Sequence, residues 1–163
     1  MNLNVTEYNG DYDGNYHPAL TVFGLLPSDT VTYQLNGGAE QSDIPQVKDV
    51  GTYSVKMRVT RYGYEDYEQT FSNIKVNATE ISGISVEPYS GTYDGMEHPA
   101  VSVSGTRWGD TVQYQLGNGE WSPSVPQIKN AGTYSVKVKI SRKNFLDKVI
   151  PVSASIQKAK QSL

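Results

Sequence analysis

The stretch Gly51-Thr52-Tyr53-Ser54-Val55-Lys56-Met57-Arg58-Val59 alternates between polar and apolar side chains, and it returns as Gly132-Thr133-Tyr134-Ser135-Val136-Lys137-Val138-Lys139-Ile140. A period of two places Tyr53, Val55, Met57 and Val59 on one face of a β-strand and Thr52, Ser54, Lys56 and Arg58 on the other. The return comes 81 residues later. With that shift, residues 8–61 lie on residues 89–142 with 27 of 54 positions identical, far beyond coincidence. A repeat of this length exceeds the ~20–50-residue unit of a solenoid and suits a self-contained small domain. The chain therefore reads as two domains, 1–78 and 79–163, with the boundary inside 77–83.

Outward from the central strand, Val31, Tyr33 and Leu35 form a second inward set, and Leu20 and Val22 a third. Phe71, Ile74 and Val76 predict a last strand whose alternation slips once. Between these runs stand Tyr12-Asp13-Gly14, Pro27-Ser28-Asp29, Asn36-Gly37-Gly38 and Asp49-Val50-Gly51, all of turn-forming composition. No amphipathic helix intervenes, so six or seven short strands per copy predict an all-β sandwich or barrel. The residue usage agrees: 12 Tyr and 15 Gly favour strands and tight turns over helices.

The net charge is −3 with both signs scattered, and no basic stripe offers itself to phosphates, so nucleic acid is not an expected partner. The absence of cysteine excludes disulfides and thiolate chemistry. No apolar run approaches the roughly 20 residues of a membrane helix, so no membrane insertion is expected. No secretory leader precedes the first strand, and Lys158-Ala159-Lys160-Gln161 reads as the start of another linker. The first feature is expected of a piece of a longer chain and equally of a cytoplasmic protein; the second is expected of a chain that continues.

The segment Asp49-Val50-Gly51-Thr52-Tyr53-Ser54-Val55 resembles the stretch of immunoglobulin domains that holds the tyrosine corner, with Val55 and Val136 standing where those domains place a cysteine. The whole repeat resembles the mostly bacterial Ig-like modules of bacterial cell-surface proteins. Those open with Tyr-Asp-Gly and carry a later Ala-Gly-Thr-Tyr-x-Val strand, seen here as Tyr93-Asp94-Gly95 and Ala131-Gly132-Thr133-Tyr134-Ser135-Val136; the first copy departs with Val50. The resemblance implies two tandem Ig-like β-sandwich domains in a secreted or wall-attached multidomain protein, without catalysis of their own; a monomer with no cofactor is expected. It implies a spacer or adhesin stalk whose partners are the neighbouring domains of its parent chain. The alternative is an adhesive module that binds a glycan or host protein through loop aromatics.

Two constellations carry candidate chemistry. Tyr12, Asp13, Gly14 and His17, repeated as Tyr93, Asp94, Gly95 and His98, combine a carboxylate with an imidazole. One Asp and one His per copy fall short of a metal's three or four ligands, so turn building is the expected role, shared with the corner residues Tyr53 and Tyr134. Asp11 and Asp13 faintly echo a calcium loop, but Thr92 replaces Asp11 in the second copy, and no metal is expected. Catalysis needs a nucleophile, a base and an orienting group in reach, and no such motif is present. The second constellation is Tyr62, Tyr64 and Tyr67 in an aromatic-acidic loop, with Trp108 in the other copy. Packing under the loop is the expected role, Tyr64 sharing a repeat position with Phe145, and exposed rings would serve binding as the alternative.

Overall fold

Alternation becomes strand along the whole computed structural model, which describes residues 2–161, and no helix forms among them. The chain divides into two compact units, Met1–Thr79 and Glu80–Leu163. In the first unit the strands are β1 (Asn4–Glu7), β2 (Asn9–Asp11), β3 (His17–Pro18), β4 (Leu20–Phe23), β5 (Thr30–Leu35), β6 (Glu40–Gln41), β7 (Gln46–Val47), β8 (Gly51–Thr60) and β9 (Tyr67–Asn77). One layer pairs β1 with β4 and β3 with β7, all antiparallel. The other is a five-stranded sheet in the order β2-β9-β8-β5-β6, in which β2 and β9 run parallel.

Several segments are single strands interrupted once, which reconciles nine segments with an expectation of six or seven strands. At Tyr8 the first strand changes layers: its amide donates to Ala19 O (2.9 Å), and its carbonyl accepts from Lys75 N (2.9 Å). Ala19 is the bend between β3 and β4, and its amide donates to Pro45 O (2.8 Å). The two layers enclose one core of Leu20, Tyr33, Val47, Val55, Met57, Val59, Phe71, Ile74 and Val76. The inward set read from alternation in β8 is buried from Val55 onward, whereas Tyr53 is partly buried. The arrangement is all-β and sandwich-like.

Beyond β10 (Thr79–Glu80), which straddles the division at 79/80, the second unit repeats the layer plan with β11 (Ser85–Pro88), β12 (Ser90–Thr92), β13 (His98–Pro99), β14 (Val101–Ser104), β15 (Thr111–Leu116), β16 (Gln127–Ile128), β17 (Gly132–Ser141), β18 (Phe145–Leu146) and β19 (Lys148–Gln157). Its larger sheet runs β12-β19-β17-β15, with β12 parallel to β19, and Tyr89 makes the layer change through Ala100 O (2.8 Å) and Ser155 N (2.9 Å).

The slip anticipated in β9 is a bulge. Tyr53 pairs with Ile74 and Val55 with Phe71, so β9 carries one extra residue at 72–73. The freed Asn73 amide donates to the Glu7 carboxylate (2.6 Å). In the second copy β17 and β19 pair without a break, and Pro88 stands in place of Glu7. The bulge therefore absorbs the residue by which the repeat offset shortens from 81 to 80.

Ile81 lies before the repeated stretch, yet it is buried in the second core, and Lys148 Nζ donates to its carbonyl (3.1 Å). Truncating such a residue removes its transfer energy and leaves a cavity. Ile81→Ala is expected to cost the second unit about 2–4 kcal/mol, read as a lower denaturant midpoint, whereas an unchanged midpoint would show that this residue is not part of that core.

Candidate functional site

The Tyr-Asp-Gly-x-x-His-Pro motif closes on itself. Asp13 Oδ1 accepts from the Asn15 amide (2.9 Å), and both carboxylate oxygens lie 2.8–2.9 Å from His17 Nε2. The imidazole stacks on Tyr8, with ring centroids 4.7 Å apart and planes 11° from parallel. Tyr8 in turn lies across Gly10, where any Cβ would overlap its hydroxyl. The second copy has the same set: His98 Nε2 at 2.9–3.0 Å from the Asp94 carboxylate, stacked on Tyr89 at 4.5 Å, with Gly91 beneath. The histidine, and after it the Asn15 amide, hold the Asp13 carboxyl below the usual range; His98 and the Met96 amide do so for Asp94. The carboxylate and the imidazole are each other's partners, and the result is a turn bolted to the layer-change residue. Among the described residues no group of three or more His, Cys, Asp or Glu side chains is placed to hold a metal ion.

Tyr53 donates its hydroxyl to the Asp49 carbonyl (2.5 Å) and Tyr134 to the Asn130 carbonyl (2.6 Å), the geometry of a tyrosine corner. The acceptor is backbone, so Asp and Asn interchange there at no cost to the bond. Burial pushes the Tyr53 hydroxyl pKa up, with the Asp49 charge adding to it.

The aromatic loop sits at the end of the first unit where β4 leads to β5 and β8 to β9. Here the structure adds an interaction not singled out in the sequence. Arg61 grips Asp29 with two bonds, Nε to Oδ1 at 2.8 Å and a terminal nitrogen to Oδ2 at 2.7 Å, and the Asp29 side chain is only 1 % exposed. The same carboxylate accepts from the Leu26 amide (2.8 Å), and Arg61 reaches the Gly24 carbonyl (3.4 Å). One guanidinium thereby ties both loops together. Asp110 and Arg142 repeat the fork at 2.7 and 2.8 Å. The signal was present in the sequence: both partners recur at the common offset, although 32 residues separate them.

Around this clamp the copies diverge. In the first, the turn Arg61-Tyr62-Gly63-Tyr64 closes with Tyr64 N to Arg61 O (3.0 Å), and Gly63 takes φ +83°, which throws Tyr62 fully into solvent. Tyr64 lies over the Arg61 guanidinium (5.7 Å) and remains 62 % exposed. Phe23, the last residue of β4 (64 % exposed), and Leu26, in the companion loop (49 %), project beside them. Tyr67 does not join them: it opens β9, packs against the core and donates its hydroxyl to Gln69 Oε1. In the second copy Ser104, Arg107 and Lys143 replace Phe23, Leu26 and Tyr62. Phe145 replaces Tyr64, stacks on Arg142 (5.2 Å) and packs against the core. Trp108, in place of Pro27, is wholly exposed.

No known family model matches this chain, and no curated protein matches it.

The clamps make stability depend on acid. The Arg61 guanidinium, then the Leu26 amide, hold the Asp29 carboxyl at about 2 against an ordinary 3.8, and Arg142, helped by the Arg107 amide, holds Asp110 at about 2. Folded values below the unfolded ones mean that the stabilisation is complete above about pH 4 and is lost as pH falls through about 2. Urea midpoints are expected to drop across that window. Asp29→Asn and Asp110→Asn are expected to lower the midpoint at pH 7 and to flatten the acid limb in part, since the Asp13 and Asp94 carboxyls are also held below their ordinary value. An acid limb as steep as the parent's would show that the clamps contribute nothing.

Proposed function

We propose that the chain is a non-catalytic, load-bearing spacer: two Ig-like modules of a bacterial cell-surface or secreted multidomain protein, working outside the cell and flanked by further domains of the parent chain. The observation that carries this reading is the parallel pairing of the first and last strands of each unit's larger sheet. β2 lies beside β9 through Lys75 N to Tyr8 O (2.9 Å) and Tyr12 N to Asn77 O (2.8 Å), with Asn77 Nδ2 bonding Asn9 Oδ1 (3.0 Å). β12 lies beside β19 through Ser155 N to Tyr89 O (2.9 Å) and Tyr93 N to Gln157 O (2.8 Å). Tension that draws the ends of a unit apart slides such strands past one another and loads their hydrogen bonds together. Antiparallel strands pulled from one end would part a bond at a time. The brace of Tyr8, His17 and Asp13 backs the loaded strand, and its recurrence in both copies fits a role common to both.

A second reading, an adhesive module, draws support from the exposure of Tyr62 and Tyr64.

Stretching single molecules of the full chain tests the spacer reading. Two sharp rupture events are expected. Lys75→Pro, which removes the donor to Tyr8 O, should lower the force of one event and leave the other in place. Gradual unravelling without peaks, or a Lys75→Pro chain with both forces intact, would sink the proposal.

A further inference from the structure

The two loop ends are the same scaffold finished with opposite chemistry. Both carry the Asp–Arg fork, the tight turn after the arginine and an aromatic ring over the guanidinium. On the first copy this frame presents Phe23, Leu26, Tyr62 and Tyr64 to solvent, with exposed Glu65 beside them. On the second it presents Arg107, Lys143 and the fully exposed Trp108. The charge of the units runs the same way: residues 1–79 hold five Lys and Arg against ten Asp and Glu, while residues 80–163 hold nine against seven. Four large apolar side chains, on two tied loops and the strand end beside them, serve no core, and the second copy shows that the scaffold folds without them. Such patches on a soluble surface mark contact sites.

We propose that the first-copy loop end docks on the second-copy loop end of another molecule of this chain. Arg107 and Lys143 would lie against the Tyr62 and Tyr64 rings and Glu65, and Trp108 against Phe23 and Leu26. Tyrosine faces attract cations, and a rim of opposite charge orients the approach. The contact joins unlike surfaces, so each molecule offers one donor end and one acceptor end. Association is then open-ended, giving chains or rings rather than a closed pair. The patch is small, so the contact is weak and gains strength where many copies are held close together. This inference is independent of the spacer reading, because it concerns the loop ends and not the terminal strands.

Sedimentation velocity of the full chain, from about 10 μM to about 1 mM, reads the association directly. The average sedimentation coefficient is expected to rise with concentration past that of a dimer, and to rise less in high salt. A chain carrying Phe23→Ser, Leu26→Arg and Tyr62→Lys takes the residues that the second copy tolerates in the same frame, and is expected to stay monomeric while its thermal midpoint is kept. A chain carrying Arg107→Glu and Trp108→Ala should also be monomeric. Mixed, the two variants each retain one competent end and should form a one-to-one dimer and nothing larger. A parent chain that stays monomeric at about 1 mM, variants that associate like the parent, or a mixture that fails to pair would each overturn the proposal.

Discussion

Everything in each unit is hung from one residue whose backbone serves both layers. Tyr8 gives its amide to Ala19 in one layer and its carbonyl to Lys75 in the other, and Tyr89 does the same with Ala100 and Ser155. A strand that must satisfy both groups can cross between layers only if each finds a partner on its own side, since an unpaired backbone group shielded from water is costly. The crossing closes the edge of the larger sheet with a parallel strand and fixes the Tyr8 ring over Gly10. It also puts His17 and Asp13 where they can pack on that ring. The most distinctive polar motif of the sequence is thereby explained by the place where the fold needs a brace.

The duplicated sequence acts as an internal control on which residues the framework requires. The layer change, the His–Asp brace, the corner tyrosine and the Asp–Arg fork occur in both units. The bulge in β9 and its Glu7 cap belong to the first unit only, and the inserted residue and the carboxylate that satisfies its amide are absent together from the second. That pairing is what hydrogen-bond satisfaction demands. The loop-end side chains differ around a fork that both units keep, so the framework does not require them.

Exposure separates the aromatic residues better than their spacing does. Tyr62, Tyr64 and Tyr67 fall within six positions, yet the first two face solvent, while Tyr67 enters the strand and lies against the core. Phe145 sits in the frame of Tyr64 but packs inward.

Local pattern by itself determined the all-β class, the duplication, the inward-facing residues from Val55 to Val59 and the position of the β9 irregularity. These follow from a period of two and from turn residues whose backbone preferences act over four or five positions, so neighbours in sequence suffice to express them. The corner tyrosine was legible for the same reason, its partner being four residues away. Tertiary structure alone decided the rest. The fork between Asp29 and Arg61 spans 32 residues, the cap from Glu7 to Asn73 spans 66, and Ile81 reaches the second core from outside the repeated stretch. Alternation along a strand says which face a side chain takes but not which strand lies opposite. Pairings of that length, and the loop end they assemble, exist only once the layers have closed.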